Sequence, residues 1–402
     1  MKIYQVGGSV RDEILKEKSI DKDFVVVGAT VEEFLNKFPN AERVGNSFPV
    51  FLVGREEYAF ARKEKKNGTG YTGFDFEACP EITLEEDLKR RDLTINAIAK
   101  DIKTGELIDP FGGIKDLFEK RIVHVTEAFA EDPLRVYRVA RFAAKFYDFS
   151  IDEKTIEMMN SLKGELSTIS VERVWGESLK AFSSKAPERF FTTLDKAGVL
   201  DSHFKELADL KGVPAGPVEY HPDDIDTFHH TMNALKRVSS IETGSDPFLI
   251  FSLLCHDFGK ALTNSKDYPR HHGHDQEGLE IVRKFSNRLK VPKKFAEAAY
   301  SFTKNHMKIR RIFEMTPSKG VKLVATMQKF PSGVSGFLKC VEADSGKSAE
   351  DIRVFVEAVS PALKVPLPEK WHNLGKKSAE MLNQLRCEKY RELKEAFEEK
   401  SK

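Results

Sequence analysis

The sequence predicts an α+β fold, in which a small mixed sheet with helices is followed by a mostly α-helical body. Two short apolar runs of strand character come first, at residues 3–6 and 24–27, and turn-forming or charged residues bound each of them. From about residue 131 the pattern becomes helical almost to the end of the chain. A stretch rich in Gly, Pro and Asp at 212–224 interrupts the helical part and predicts a linker.

These patterns divide the 402 residues into four predicted segments. We expect a mixed head at 1–130 and a helical neck or body at 131–220. A second helical region, which holds most of the histidines, is expected at 221–345. The last segment, 346–402, contains several prolines and ends in a charged helix over 388–400.

Charge and cysteine content limit the class of protein. The 64 basic and 63 acidic residues leave a net charge of +1, which excludes a general nucleic-acid coat protein, so any polyanion site must be a local patch. The four cysteines form no C-x-x-C pair, which favours reduced thiols in a cytoplasmic protein. No apolar run reaches the roughly 18 residues of a membrane span, so we expect no membrane partner. Monomer and dimer both stay open.

The first chemical motif combines a glycine pair with two carboxylates. The pair ends at Gly8, and a Ser-x-x-Asp sequence at 9–12 predicts a capped helix start. Backbone N–H groups there, together with Arg11, can contact a triphosphate. Asp21 and Asp23 stand at i and i+2 of a predicted strand and therefore share a face. Their repulsion favours a bound cation, and Mg²⁺ beside a phosphate site indicates nucleotidyl transfer.

Two later basic segments supply further candidates. Arg91 can bind phosphate, although a basic surface turn is the alternative. Asp132 and the proline after it predict a helix N-cap and first helical position. Arg135 and Arg138 share a helical face with Asp132. A carboxylate beside a guanidinium matches the amino and ring-nitrogen edge of cytosine and adenine and rejects uracil and guanine, unless Asp132 is only a cap.

Histidines are concentrated in the second helical region. Eight of the 11 fall between residues 221 and 306, and one of them forms a His–Asp doublet. Neutral imidazole and carboxylate both bind divalent ions, so this pattern predicts a transition-metal site, with packed or surface histidines as the alternative. The candidate ligands are His230, His256, Asp257, His272, His274 and His306. A final aspartate ligand is not identifiable from the sequence.

In their order and spacing, the motifs of residues 1–200 resemble the class II tRNA nucleotidyltransferases, the CCA-adding enzymes. The resemblance implies a polymerase-β-like head that adds C, C and A to the 3′ end of tRNA from CTP and ATP without a nucleic-acid template. It implies that Asp21 and Asp23 are catalytic and bind Mg²⁺. It also implies nucleotide contacts from Gly8, Arg11, Arg91, Asp132, Arg135 and Arg138. The loop 65–78 resembles the family's flexible loop.

The histidine pattern resembles HD-type phosphohydrolase domains, which some bacterial CCA-adding enzymes carry at this place. This implies phosphatase and 2′,3′-cyclic phosphodiesterase activities that use Ni²⁺ or another divalent transition metal. We expect tRNA to be read by the shape of its acceptor and T stems. Candidate phosphate contacts are the basic clusters 63–66, 89–91, 290–294 and 308–311, each of which is typical of a solvated face when taken alone.

Several alternatives stay open at this point. A poly(A) polymerase, or a specialised A-adding or CC-adding enzyme, shares most of the head motifs. An HD phosphohydrolase with a nucleotide-sensing head, or a non-catalytic RNA-binding or nucleotide-binding protein, would use the same segments differently.

Overall fold

The computed structural model describes residues 1–17, 22–44, 50–66, 74–77, 80–219, 223–239 and 244–400, and it confirms the predicted α+β class. Asp21 and much of the predicted loop 65–78 lie outside these ranges. The chain divides into two compact units. The first unit comprises Met1–Ala181 and Arg189–Ser202, and the second comprises Phe182–Glu188 and His203–Lys402.

The first unit contains a mixed sheet of seven strands in the order β3-β4-β5-β2-β1-β8-β9. Neighbouring strands are antiparallel except β2 and β5, which are parallel. Two further pairs, β6 with β7 and β10 with β11, lie outside it. The strands are β1 (Lys2–Val6), β2 (Asp23–Val27), β3 (Glu42–Val44), β4 (Val50–Val53), β5 (Glu56–Phe60), β6 (Lys63–Lys66), β7 (Phe74–Glu77), β8 (Ala99–Asp101), β9 (Leu107–Ile108), β10 (Arg121–Ile122) and β11 (Ser150–Ile151).

Both faces of the sheet are covered, which explains the unbroken apolar run in β2. Phe24 and Val26 pack on one face in a cluster with Phe34. Val25, between them, packs on the other face in a cluster with Leu88. Side chains of a strand alternate between faces, so a strand that is covered on both sides is apolar throughout. This burial holds the start of β2, where Asp23 lies, at a defined place.

The helices that follow or flank the sheet are mostly short. In chain order they are α1 (Gly8–Ile14), α2 (Val31–Lys37), α3 (Leu84–Lys89), α4 (Gly113–Phe118), α5 (Arg135–Lys145), α6 (Glu153–Ser161), α7 (Val171–Phe182), α8 (Glu188–Lys196) and α9 (Asp201–Ala208).

Two predicted helix starts are wrong in detail. Helix α1 begins at Gly8 without a side-chain cap, and Ser9 instead donates a hydrogen bond to the Val6 carbonyl at 3.2 Å. Helix α5 begins at Arg135 rather than directly after Asp132. The carboxylate of Asp132 accepts from the backbone N–H of Leu134 at 3.1 Å, so it caps a turn ahead of the helix.

The second unit contains most of α9 and all of helices α10–α17. The described part of the predicted linker 212–224 contains neither helix nor strand. Helix α11 is apolar almost throughout and buried, with Asp246 as its N-cap and Pro247 in its first turn. The helices are α10 (Thr227–Val238), α11 (Pro247–Cys255), α12 (His274–Arg288), α13 (Lys293–Ile309), α14 (Pro317–Lys329), α15 (Gly333–Ser345), α16 (Glu350–Val359) and α17 (Lys376–Lys400).

The structure also bears on the cysteines and on the expectation of a membrane span. Cys255, Cys340 and Cys387 are free thiols, and the first two are buried. Across the part of the chain that the structure describes, no helix is both long enough and apolar enough to cross a membrane.

Candidate functional sites

One cavity of about 760 Å³ in the first unit, here called the head cavity, gathers the predicted nucleotide site. It lies where α1, the start of β2 and the start of α5 meet. Every predicted head residue that the structure describes lines it, while Asp21 is outside the described residues. These lining residues are Gly8, Arg11, Asp23, Arg91, Asp132, Arg135 and Arg138.

The head cavity is strongly cationic. Its described lining includes eight arginines and one lysine against three aspartates. Since the chain as a whole is nearly neutral, this is the kind of local patch that the composition requires for a polyanion. The excess positive charge fits a ligand that carries several phosphates.

The glycine pair brings two arginines close to the backbone. Gly7 has φ +72°, a conformation that residues with a side chain rarely adopt, and a Cβ there would lie 3.0 Å from Nη1 of Arg91. A Cβ on Gly8 would lie 3.3 Å from Nη2 of Arg11. Arg11 is buried and donates to the side chains of Asn96 at 2.5 Å and Asp12 at 2.7 Å. A side chain at either glycine would therefore crowd one of these two guanidinium groups.

Buried carboxylates orient the remaining arginines. Asp87 is fully buried and accepts from Arg90 at 2.5 Å and Arg91 at 3.3 Å. Burial alone would raise the pKa of Asp87, but the charges of the two arginines outweigh burial and lower it. An ionised Asp87 thus holds Arg91 at the cavity wall.

Asp92 does the same for Arg138. Its carboxylate lies 2.7 Å from Nη2 of Arg138 and accepts from the Asn96 amide at 3.0 Å. Burial opposes ionisation, yet Arg138 and the Asn96 hydrogen bond lower the pKa of Asp92 well below its usual range. Asp92 and Asn96 meet across the short 3₁₀ turn Thr94–Asn96.

The structure pairs Asp132 with an arginine that sequence reasoning missed. Nη2 of Arg173, in α7, lies 2.8 Å from the Asp132 carboxylate. Arg135 instead donates to the backbone carbonyls of Arg90, at 2.5 Å, and Ala128. Asp132, Arg135 and Arg173 all line the head cavity, so a carboxylate and a guanidinium do stand side by side there.

In the second unit, six side chains converge on one buried point, which we call the histidine centre. One of them is an aspartate that the sequence does not reveal, Asp344 in α15. Its Oδ1 lies 3.0 Å from Nε2 of His230 and 3.3 Å from Nε2 of His256. Oδ1 of Asp257 lies 3.3 Å from Nε2 of His274. The donor atoms form two groups, each within 4.8 Å: His230, His256 and Asp344, and Asp257, His274 and His306.

His272 does not join these groups. It is exposed at the start of α12, two residues before the buried His274. It lines the cavity beside the histidine centre and not the centre itself.

Backbone carbonyls fix the orientation of three imidazoles. Nδ1 of His256, His274 and His306 lies 2.6, 2.7 and 2.8 Å from the carbonyl oxygen three residues earlier. A carbonyl only accepts, so each Nδ1 carries a proton, and Nε2 is the atom that presents a lone pair in the neutral imidazole. Nδ1 of His230 lies 2.8 Å from the Asp224 carboxylate, which has the same effect. Such outer contacts are typical of metal-binding histidines.

The polar atoms of the histidine centre fit a divalent ion. His256 Nε2 and Asp257 Oδ1 are buried and make no hydrogen bond of good geometry within the described residues. Buried polar atoms without partners are costly, and coordination of a metal would satisfy them. Three or more imidazole and carboxylate donors suit a transition metal.

Proton competition gives the histidine centre a predicted pH dependence. Burial alone would lower the pKa of His256, but the charges of Asp257 and Asp344 outweigh burial and raise it to about 10. For His306 burial dominates and lowers the pKa to about 4. At pH 7 His256 is therefore protonated and must lose a proton to bind metal, while His306 is already neutral. Between pH 6 and 9 the apparent Ni²⁺ affinity should rise about ten-fold per pH unit. Calorimetric titration in buffers of different ionisation enthalpy measures the released proton, and pH-independent binding would contradict the assignment.

A cavity of about 550 Å³ opens on the histidine centre. Asp257, His274, His306 and Asp344 line it together with the cations Lys260, Arg270, Arg310 and Lys347. Positive side chains around a metal site favour a phosphate-bearing substrate.

Three known families match successive parts of the chain. The family described as Poly A polymerase head domain matches residues 3–123. The family described as probable RNA and SrmB-binding site of polymerase A matches residues 148–211, and the HD domain family matches residues 227–330. Asp344 thus lies beyond the part of the chain that the HD family matches.

Relatives named Multifunctional CCA protein match most of this chain. The Multifunctional CCA protein of Mannheimia succiniciproducens is 47% identical over 80% of this chain and 78% of its own length. That of Shewanella denitrificans is 44% identical over 86% of this chain and 84% of its own. Among solved structures, the Bacillus stearothermophilus CCA-adding enzyme in complex with CTP has a TM-score of 0.65 at 22% identity, covering 99% of this chain and 94% of that one. On this evidence the chain belongs to the family of multifunctional CCA proteins, which are tRNA nucleotidyltransferases with an HD domain.

Proposed function

We propose that the chain adds C, C and A to the 3′ end of tRNA, using CTP and ATP and no nucleic-acid template. The observation that carries the proposal is the head cavity, which gathers a carboxylate at the start of β2, a cationic lining and the Asp132–Arg173 pair. Solved structures with the same fold support it, because one is the Thermotoga maritima CCA-adding enzyme complexed with tRNA and another is a CCA-adding enzyme with ATP.

The reaction is a displacement at phosphorus. The 3′-hydroxyl of the tRNA attacks the α-phosphorus of the nucleotide, the new ester bond forms, and pyrophosphate leaves with the electrons of the broken bond. Asp23, with Asp21, would hold Mg²⁺, which when bound lowers the pKa of the hydroxyl and neutralises the leaving group. Arg11 and Arg91, held by their carboxylate and amide partners, bind and orient the triphosphate.

Nucleotide selection falls to the Asp132 region. A carboxylate accepts from the amino group of cytosine or adenine, and a neighbouring guanidinium donates to the ring nitrogen. Uracil and guanine would set a carbonyl against that carboxylate, which is disfavoured in a partly buried site. Arg173 is the first candidate for this donor because it pairs with Asp132, and Arg135, which lines the same cavity, is the second.

Replacing Asp132 with asparagine separates selection from capping. The amide oxygen can still accept from the Leu134 N–H, but an NH₂ group replaces one carboxylate oxygen. We expect the preference for CTP and ATP over UTP and GTP to fall by about 100-fold or more. Single-nucleotide incorporation on tRNA measures this. Asp152→Asn, which changes the N-cap of α6, is the matched control. Unchanged selection in Asp132→Asn would leave Asp132 as a turn cap only.

For the second unit we propose phosphatase and 2′,3′-cyclic phosphodiesterase activities at the histidine centre. Nucleotidyltransferase and HD domains use divalent metals, and Ni²⁺ or another transition ion suits this donor set. His230, His256, Asp257, His274, His306 and Asp344 would hold it. When bound, the ion supplies a Lewis acid and a nucleophile at neutral pH. Arg270 and Lys347 bring positive charge to the phosphate of a damaged RNA end.

Two tRNAs test the first proposal. On tRNA that lacks CCA, CTP alone should add two residues, CTP with ATP should complete the end, and ATP alone should add none. On tRNA ending in CC, ATP alone should add one residue. Long tails from ATP alone would contradict CCA addition and favour a poly(A) polymerase.

A further inference from the structure

A large groove in the second unit has no place in the functions proposed so far. It encloses about 1180 Å³ between α13 and α14, and we call it the lysine groove. Pockets for small molecules are typically roughly 300–1,000 Å³, so the lysine groove exceeds that size. Its lining is rich in lysine.

One face of α14 supplies a row of positive charge. Lys319, Lys322 and Lys329 line the lysine groove at positions i, i+3 and i+10, which lie on one side of a helix. At a rise of about 1.5 Å per residue they spread over roughly 15 Å. Helix α14 contains no acidic residue.

Helix α13 faces this row with its own cations. Lys308 lies 2.9 Å from Asp275, so its charge is compensated. Lys304 and the three lysines of α14 are exposed and have no carboxylate within 4.0 Å among the described residues. Like charges gathered in this way repel each other and favour a polyanionic partner.

The lysine groove and the cavity of the histidine centre share one lining residue. Met307, on α13, lines both, and it is 54% exposed. The residue before it is His306 of the histidine centre. Arg310 lines the cavity of the centre, whereas Arg311 lines the groove. The groove and the cavity therefore adjoin, so a chain in the groove lies close to the histidine centre.

We propose that the lysine groove binds the single-stranded 3′ segment of an RNA whose terminal phosphate enters the histidine centre. The proposal rests on the hydrolase activity proposed above. The spaced point charges match successive phosphates, and Tyr300, Met307 and Met315 offer partly apolar surface on which bases pack. The groove thereby favours an RNA end over a mononucleotide.

Binding tests the groove without reference to hydrolysis. The probe is a fluorescent single-stranded RNA of about twelve nucleotides that ends in a 2′,3′-cyclic phosphate. This RNA is several times longer than the groove. In Lys319→Gln/Lys322→Gln, anisotropy should show about ten-fold weaker binding at low salt and a log–log salt slope shallower by about 1.4, since each phosphate contact contributes about 0.7. Lys236→Gln/Lys377→Gln removes two exposed lysines elsewhere in the same unit and should change neither quantity. Unaltered RNA binding in the groove variant would overturn the proposal.

Turnover then tests the link to the histidine centre. The groove variant should hydrolyse 2′,3′-cyclic AMP within about two-fold of the original rate but lose about ten-fold in kcat/KM on the RNA. Equal losses on both substrates, or an equal loss in CCA addition, would overturn the proposal. If the unaltered protein hydrolyses neither substrate, the hydrolase function fails, and the binding result alone decides whether the groove takes RNA.

Discussion

Asp344→Asn is expected to reduce metal-dependent hydrolysis of 2′,3′-cyclic AMP severely while CCA addition continues at its normal rate. The Asp344 carboxylate lies 3.0 Å from Nε2 of His230 and 3.3 Å from Nε2 of His256. Among the described residues Asp257 is the other carboxylate near both imidazoles, at 3.7 and 3.2 Å. An amide keeps the volume but is a far weaker ligand and carries no charge. The loss in hydrolysis should be about 10²–10³-fold. It should at least equal the loss caused by mutating a residue that only hydrogen-bonds to a metal ligand.

Metal content and activity should change together in this variant. Elemental analysis after dialysis against Ni²⁺ measures the bound ion, and the head cavity provides an internal control for folding because it lies in the other unit. Asp351→Asn, an exposed aspartate in the first turn of α16, is the matched change. Full hydrolysis with normal Ni²⁺ content in Asp344→Asn would exclude Asp344 as a ligand.

Asp23→Asn is expected to reduce nucleotide incorporation by about 10³-fold or more, because Asp23 is a proposed Mg²⁺ ligand and its loss would remove stabilisation from both the attacking and the leaving oxygen. Binding of tRNA should persist, since it depends on phosphate contacts spread over the protein. Hydrolysis at the histidine centre should also persist. Primer extension of tRNA lacking CCA by one labelled CTP gives the rate.

The neighbouring strand offers a close control for this variant. Glu57 on β5 is the Cα partner of Asp23 in the parallel ladder, is exposed and is not part of the head cavity lining. Glu57→Gln should leave incorporation within about two-fold, as surface substitutions usually do. Comparable losses in both variants would mean that the strand end, rather than the Asp23 carboxylate, matters.

Local patterns predicted the sheet well. The apolar run after Asp23 indicated a buried strand, and β2 is covered on both faces. The pattern was less informative at helix starts. Ser9 and Asp132 each have the chemistry of an N-cap, but the backbone turns around Gly7 and Leu134 decide where the helices begin. Capping side chains mark the neighbourhood of a helix end and not its first residue.

The site residues that sequence reasoning missed are those set by tertiary packing. Asp344 is 114 positions from His230, and Arg173 is 41 from Asp132. No periodicity links residues on different helices, so only the packing of α15 and α7 brings them in. His272 and His274 differ by two positions in one His-rich segment, and the start of α12 decides that the second of them is buried.

The carbonyl contacts of the imidazoles have a consequence for how the protein meets its metal. Because the protein backbone, and not the ion, sets the rings of His256, His274 and His306, the ordering cost of these proposed ligands is met when the unit folds. Chelation should therefore empty the centre without melting the unit, in contrast to a zinc finger. An ion that leaves such a preformed site can be replaced by another. The ion that the protein carries would then depend on which metals are available and on their intrinsic affinities for the site.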